Sequence, residues 1–78
     1  MKYSALLKVY DKDFERIYSC FKPELIKKKR ADLRLKKEKG YVLFEIESDD
    51  SVALRAVLNS ITKLLTVYEN VDKIEYQN

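Results

Sequence analysis

The spacing of apolar positions switches between period two and a helical period along the chain, and each stretch predicts an element. Tyr3, Ala5, Leu7 and Val9 alternate with Lys2, Ser4 and Lys8, which predicts a strand over residues 2–10. Leu6 and Tyr10 place apolar groups on its second face as well. Phe14, Ile17, Tyr18 and Phe21 then follow i, i+3, i+4, i+7, the stripe of a helix over residues 12–21. Asp11 is the expected N-cap, Asp13 and Glu15 suit the positive end of the helix dipole, and Pro23 is the expected stop. Ala31, Leu33 and Leu35 alternate with Asp32, Arg34 and Lys36, and Val42, Phe44 and Ile46 with Tyr41, Leu43, Glu45 and Glu47. Between these strands Lys37-Glu38-Lys39-Gly40 reads as a hairpin turn in which Gly40 takes positive φ. A long helix follows, from about Asp50 to Glu69 or beyond, with Ser48, Asp49, Asp50 and Ser51 as N-cap candidates.

The order β-α-β-β-α predicts a fold. The crossover makes the first two strands parallel, and the hairpin makes the third antiparallel to the second. Placing the third strand between the others gives a three-stranded antiparallel sheet with both helices on one face. This is an α+β, two-layer sandwich, and at 78 residues the chain forms one domain, 1–78.

The last helix is wider in its apolar arc than a sheet requires. Leu54, Leu58, Ile61, Leu65 and Tyr68 cluster on the wheel, and Ala53, Val57, Leu64 and Val71 widen the cluster. With Val67 and Ala56 the arc reaches about 200°, twice the roughly 100° stripe of the first helix. Ser60 alone interrupts it, and Arg55, Asn59, Thr62, Lys63, Thr66, Glu69 and Asn70 form a narrow polar remainder. One part of the arc faces the sheet. The rest meets the first helix, a second copy of the chain or another protein. Small size favours an intermolecular contact, because domains of this length lean on disulfides, metals or association.

Composition narrows the chemistry. With a single Cys and no His, neither an internal disulfide nor a Cys/His zinc site can form. The lack of His also removes the commonest general base, and a single Gly excludes a glycine-rich phosphate loop. Cys20, beside the apolar stripe, reads as a small packing residue, and Asp49-Asp50 as helix-capping acids. The expectation is a protein without enzymatic activity, cofactor or metal. No apolar run approaches the roughly 20 residues that span a bilayer. Lys8 interrupts any leader-like core, so no membrane association and a cytoplasmic location are expected.

Charge is uneven. Residues 22–39 hold nine basic and three acidic residues, +6 within a chain whose net charge is +3. Lys27, Lys28, Lys29 and Arg30 form a block that either solvates a loop or attracts phosphate. The element order is KH-like in outline, but the Gly-x-x-Gly clamp cannot be built with Gly40 alone, and the RRM aromatic signature is missing. A stand-alone basic nucleic-acid-binding module is the alternative reading on these grounds.

Ser51-Val52-Ala53-Leu54-Arg55-Ala56-Val57-Leu58-Asn59-Ser60 resembles the signature of the Pcc-type subunit of the KEOPS complex, where an Ala-Leu-Arg-(small)-x-x-Asn-Ser core opens the final helix. Phe21-Lys22-Pro23-Glu24, Arg30-Ala31, Gly40 and Phe44-Glu45-Ile46 resemble the family's segments in the same order, so the similarity runs along nearly the whole chain. After Asn59-Ser60 many members carry an aromatic residue and then Arg-Trp, whereas this chain reads Ile61-Thr62-Lys63-Leu64-Leu65.

The resemblance implies a non-catalytic dimerisation and scaffold subunit. KEOPS installs threonylcarbamoyl on the tRNA adenosine next to the anticodon, and its Pcc-type subunit binds the catalytic threonylcarbamoyltransferase subunit. The implied partners are a second copy or a divergent paralogue, and that catalytic subunit, with tRNA engaged indirectly. Leu54, Arg55, Asn59 and Ser60 occupy the family motif. With Val57, Leu58, Ile61, Lys63, Leu64 and Leu65 they make up the expected protein interface, and Arg55 and Asn59 are expected to make polar contacts either inside the subunit or at that interface.

Overall fold

A computed structural model describes residues 1–21 and 30–77, and side chains as far as Asn70. The elements are β1 (Tyr3–Tyr10), α1 (Phe14–Cys20), β2 (Ala31–Glu38), β3 (Tyr41–Ser48) and α2 (Ser51–Gln77). The sheet order is β1-β3-β2, with β3 antiparallel to both neighbours, so the expected α+β class and the central third strand are present. Both helices lie on one face. They meet Leu33, Val42, Phe44 and Ile46 of the sheet with Ile17 and Phe21 from the first helical segment and Ala53, Val57 and Ile61 from the second.

The apolar rows of β2 and β3 explain this core. Phe44 and Val42 are completely buried, and the Phe21 ring meets Phe44 edge-on with centroids 5.4 Å apart. The hairpin is tighter than expected: Glu38 pairs with Tyr41, so only Lys39 and Gly40 form the connection, and Lys37 and Glu38 belong to β2. Gly40, the second central residue, has φ of 92°, the left-handed region that favours glycine at that position of a turn. Its carbonyl also accepts the Asp11 N–H at 3.3 Å, which ties the end of β1 to the turn.

The first helix departs from the sequence expectation. It begins at Phe14, not Lys12, and ends at Cys20. Asp11 does not cap it: the Asp11 carboxylate accepts the Asp13 N–H at 2.9 Å and closes a turn one step before the helix. Asp13 takes the N-cap position, with its carbonyl accepting from Arg16 and Ile17. Tyr18 and Cys20, both expected to pack, are exposed. The short helix presents only Ile17 squarely to the sheet, and the Tyr18 ring instead lies 5.6 Å from the Lys37 ammonium at the end of β2. Phe21 turns into the core in extended conformation just after the helix. Pro23, the expected stop, lies outside the described residues.

Entry into α2 is held more firmly. Asp50 accepts the Val52 N–H on its carboxylate at 2.8 Å, a side-chain N-cap. The Ser48 hydroxyl accepts the Asp50 N–H at 3.0 Å and donates to the Arg30 carbonyl at 2.6 Å, so one buried side chain joins the start of β2, the end of β3 and the helix entry. Arg30 itself has φ of 67° and sets its guanidinium 3.6 Å from Asp50. Ser48→Ala takes the hydroxyl away from the Arg30 carbonyl and the Asp50 N–H at once, in a part-buried setting. The expected loss is about 1–3 kcal/mol in a urea titration, and an unchanged midpoint would show that water replaces the hydroxyl freely.

The 27 residues of α2 extend about 40 Å, well past the roughly 27 Å of an eight-residue strand. Among the described residues no helix is long and apolar enough to cross a membrane.

Candidate partner interface

The wide apolar arc of α2 divides into three parts. Ala53, Val57 and Ile61 form its centre and are buried, the last two completely. Val57 and Ile61 were expected at the protein interface, and that expectation is corrected: both fill the chain's own core, and neither keeps surface for a partner. On the flank facing α1, Leu64, Val67 and Tyr68 line a groove of about 210 Å³ with Arg16, Cys20 and Phe21. The Arg16 guanidinium stands 5.5 Å from the centroid of the Tyr68 ring. So the first helix does cover one flank, though incompletely, since Leu64 and Val67 stay exposed.

The opposite flank carries Leu54, Leu58 and Leu65. All three touch the core yet remain half-buried. The sheet offers a matching strip. Helices α1 and α2 lie over β3 and β2. Strand β1 is less covered: Ala5, Leu7 and Val9 pack against the core but none is buried, whereas β3 buries every second residue from Val42 to Ile46. Half-covered apolar groups on two elements thus border the same core.

The two sheet edges differ in a way that matters for association. Edge strand β2 carries Asp32, Arg34, Lys36, Lys37 and Glu38, charges of the kind that discourage strand addition. Edge strand β1 reads Tyr-Ser-Ala-Leu-Leu-Lys-Val-Tyr, with a single charge and no proline. Its outer backbone groups are the ones a further strand can pair with.

The polar motif residues sit outside the core. Arg55 and Asn59 are exposed one turn apart, and among the described residues neither side chain forms a hydrogen bond or ion pair within the chain. Ser60 is half-buried and donates to the Ala56 carbonyl at 3.0 Å, a bond internal to the helix. Lys63 is exposed. Of the basic block, Lys27, Lys28 and Lys29 lie outside the described residues, and Arg30 is engaged with Asp50. Among the described residues no group of acidic or Cys side chains is placed to hold a metal ion.

Sequence reasoning missed the contribution of β1. Its alternation marked an inner face, but alternation does not reveal how much of that face the helices cover. No protein-family model, curated protein or solved structure matches this chain at a significant level.

Proposed function

We propose that the chain is a non-catalytic dimerisation and scaffold subunit of the KEOPS type. In this reading it supports threonylcarbamoyl transfer to the tRNA adenosine next to the anticodon by holding the catalytic subunit in a productive assembly. The observation that carries the reading is the set of half-covered apolar residues around one core, Leu54, Leu58 and Leu65 on α2 and Ala5, Leu7 and Val9 on β1, the last three on an edge strand with a single charge. A monomer gains nothing from leaving it open, and burial favours association at roughly 25 cal/mol for each Å² of apolar surface removed from water. A second copy or a paralogue of the same fold pairs along β1. Arg55 and Asn59, exposed and uncommitted within the described residues, then face the catalytic partner with Lys63.

Light scattering after size exclusion, at several concentrations, tests the first half. The expected mass is twice 9.3 kDa, or twice that value only when the paralogue is co-expressed. Co-purification with a threonylcarbamoyltransferase catalytic subunit tests the second half. The expected result is capture by the native chain and loss of capture with Arg55→Ala plus Asn59→Ala, whose thermal melt stays native because both positions are exposed. A monomer at high concentration that captures no catalytic subunit removes the proposal.

A further inference from the structure

The sheet face opposite the helices has a separate pattern. The strand register sets it out in four rows: Tyr10–Tyr41–Glu38, Lys8–Leu43–Lys36, Leu6–Glu45–Arg34 and Ser4–Glu47–Asp32. No residue in these rows is buried. The last row is acidic, with Lys2 reaching Glu47 at 4.0 Å. The other three combine rings, apolar side chains and cations. Tyr10 is 69% exposed and leans on Tyr41, with ring centroids 5.0 Å apart and planes at 39°. The Lys8 ammonium stands 5.4 Å from the Tyr41 centroid. Leu6 is 67% exposed in the third row. Glu45 is occupied by Lys36 at 2.9 Å, which leaves Lys8 and Arg34 on opposite sides of the face, with Glu38 at the rim.

We infer that this face binds single-stranded nucleic acid, with bases stacking on Tyr10 and Tyr41 and phosphates meeting Lys8 and Arg34. The exposed Tyr10 ring, backed by the half-buried Tyr41 ring on the neighbouring strand, offers a π-face that any base can use, and flanking cations follow a backbone. Successive rows are about 7 Å apart, a platform on the scale of the two or three bases that stack on other β-sheet readers. The cores of protein–protein interfaces are depleted in lysine, whereas here lysines stand within the second row, on both sides of Leu43. Across the first three rows three cations stand against Glu38 and Glu45, and Glu45 is held by Lys36, so Lys8 and Arg34 are the cations that a nucleic-acid backbone would meet. The tyrosines are 31 positions apart in sequence, so no linear motif announces the pair. The inference does not rest on the scaffold reading, since it concerns the opposite face and is tested on the isolated chain.

The test is fluorescence anisotropy with labelled oligouridylate and oligoadenylate of about 12 nucleotides, alongside an RNA duplex of equal length. Expected is binding to the single strands that weakens between about 50 and about 200 mM salt, with weaker binding to the duplex, whose bases are already stacked. Tyr10→Ala weakens single-strand binding about fivefold or more. Tyr10→Phe, which keeps the ring, stays within about twofold of the native chain on the same ground. Lys8→Glu weakens binding and flattens its salt dependence. Tyr10 and Lys8 are both exposed, and circular dichroism melts confirm that each variant is folded. Should Tyr10→Ala lose its native melt, Lys8→Glu and Leu6→Ser decide in its place. No single-strand binding, equal affinity for the duplex, equal affinity of Tyr10→Ala, or loss confined to a Lys27, Lys28 and Lys29 triple glutamate variant each overturn the inference. A fall in self-association with Tyr10→Ala, without an effect on nucleic acid, gives the face to a second copy and overturns it as well.

Discussion

Val57→Asp is expected to abolish the folded state, while Leu58→Asp, one residue further on, is expected to leave a folded chain that no longer forms the proposed dimer. The contrast follows from where α2 meets the sheet. Val57 is 0% exposed at the centre of the core, among Phe44, Ile46 and Ile61. A carboxylate there stands within the cluster of buried apolar side chains, and burying it unpaired costs several kcal/mol. A domain of this size holds about 3–5 kcal/mol in all, so the variant has no margin left. Leu58 is rotated about 100° from Val57 and is half-buried on the flank turned away from α1. Its replacement forfeits only part of the roughly 1.5–3 kcal/mol of a fully buried leucine, and the new charge stays in water. In a dimer that charge is forced into the apolar contact. Far-UV circular dichroism with thermal melting reads the first effect, and light scattering reads the second. A native melt for Val57→Asp would falsify the assignment of the arc's centre to the core. An undisturbed dimer for Leu58→Asp would move the interface off this flank.

Phe44→Ala removes the largest side chain at the middle of the central strand. Phe44 is completely buried, and it meets Phe21 at 5.4 Å with the ring planes at 76°. Loss of a buried phenylalanine costs about 3–5 kcal/mol, because the lost transfer energy and the remaining cavity add. The edge-on ring pair contributes about 0.5–1.5 kcal/mol of coupling on its own. The expected outcome in urea is a transition moved to near zero denaturant, or no cooperative transition. Phe44→Leu, which refills most of the volume, retains one. A double-mutant cycle of Phe21→Leu and Phe44→Leu then isolates the ring pair. Small and additive losses in that cycle would mean that Phe21 contributes area only. The pair matters beyond its energy, because Phe21 directly follows α1 and ties the end of that helix to the central strand.

Much of the fold was legible in the sequence where two periods agreed with their flanks. Alternation in β2 and β3 named the buried rows correctly at Ala31, Leu33, Val42, Phe44 and Ile46, since a strand buried on one face has no other way to place its apolar groups. The acid and hydroxyl cluster before α2 marked its start, and Asp50 fills the N-cap role. The first helix was less legible. Its stripe of four apolar residues suggested more contact than seven helical residues deliver, and Asp11 spent its carboxylate on a turn. The arc of α2 was legible in width but not in its division: the wheel clustered Leu58, Ile61 and Leu65 and set Val57 beside them, though Val57 and Ile61 are interior and the two leucines half-open.

By itself, then, the sequence determined the element order, the central place of the hairpin's second strand, the inner faces of the sheet and the surplus of apolar surface on the last helix. These follow from local periodicity and chain connectivity, which are properties of neighbours along the chain. Only the tertiary structure decided how that surplus is shared among the core, the α1 groove and the open flank, that β1 is left half-covered, and that Tyr10 and Tyr41 meet beside Lys8. Those outcomes depend on where a helix axis crosses the sheet and on strand register, both set by packing between segments far apart in sequence.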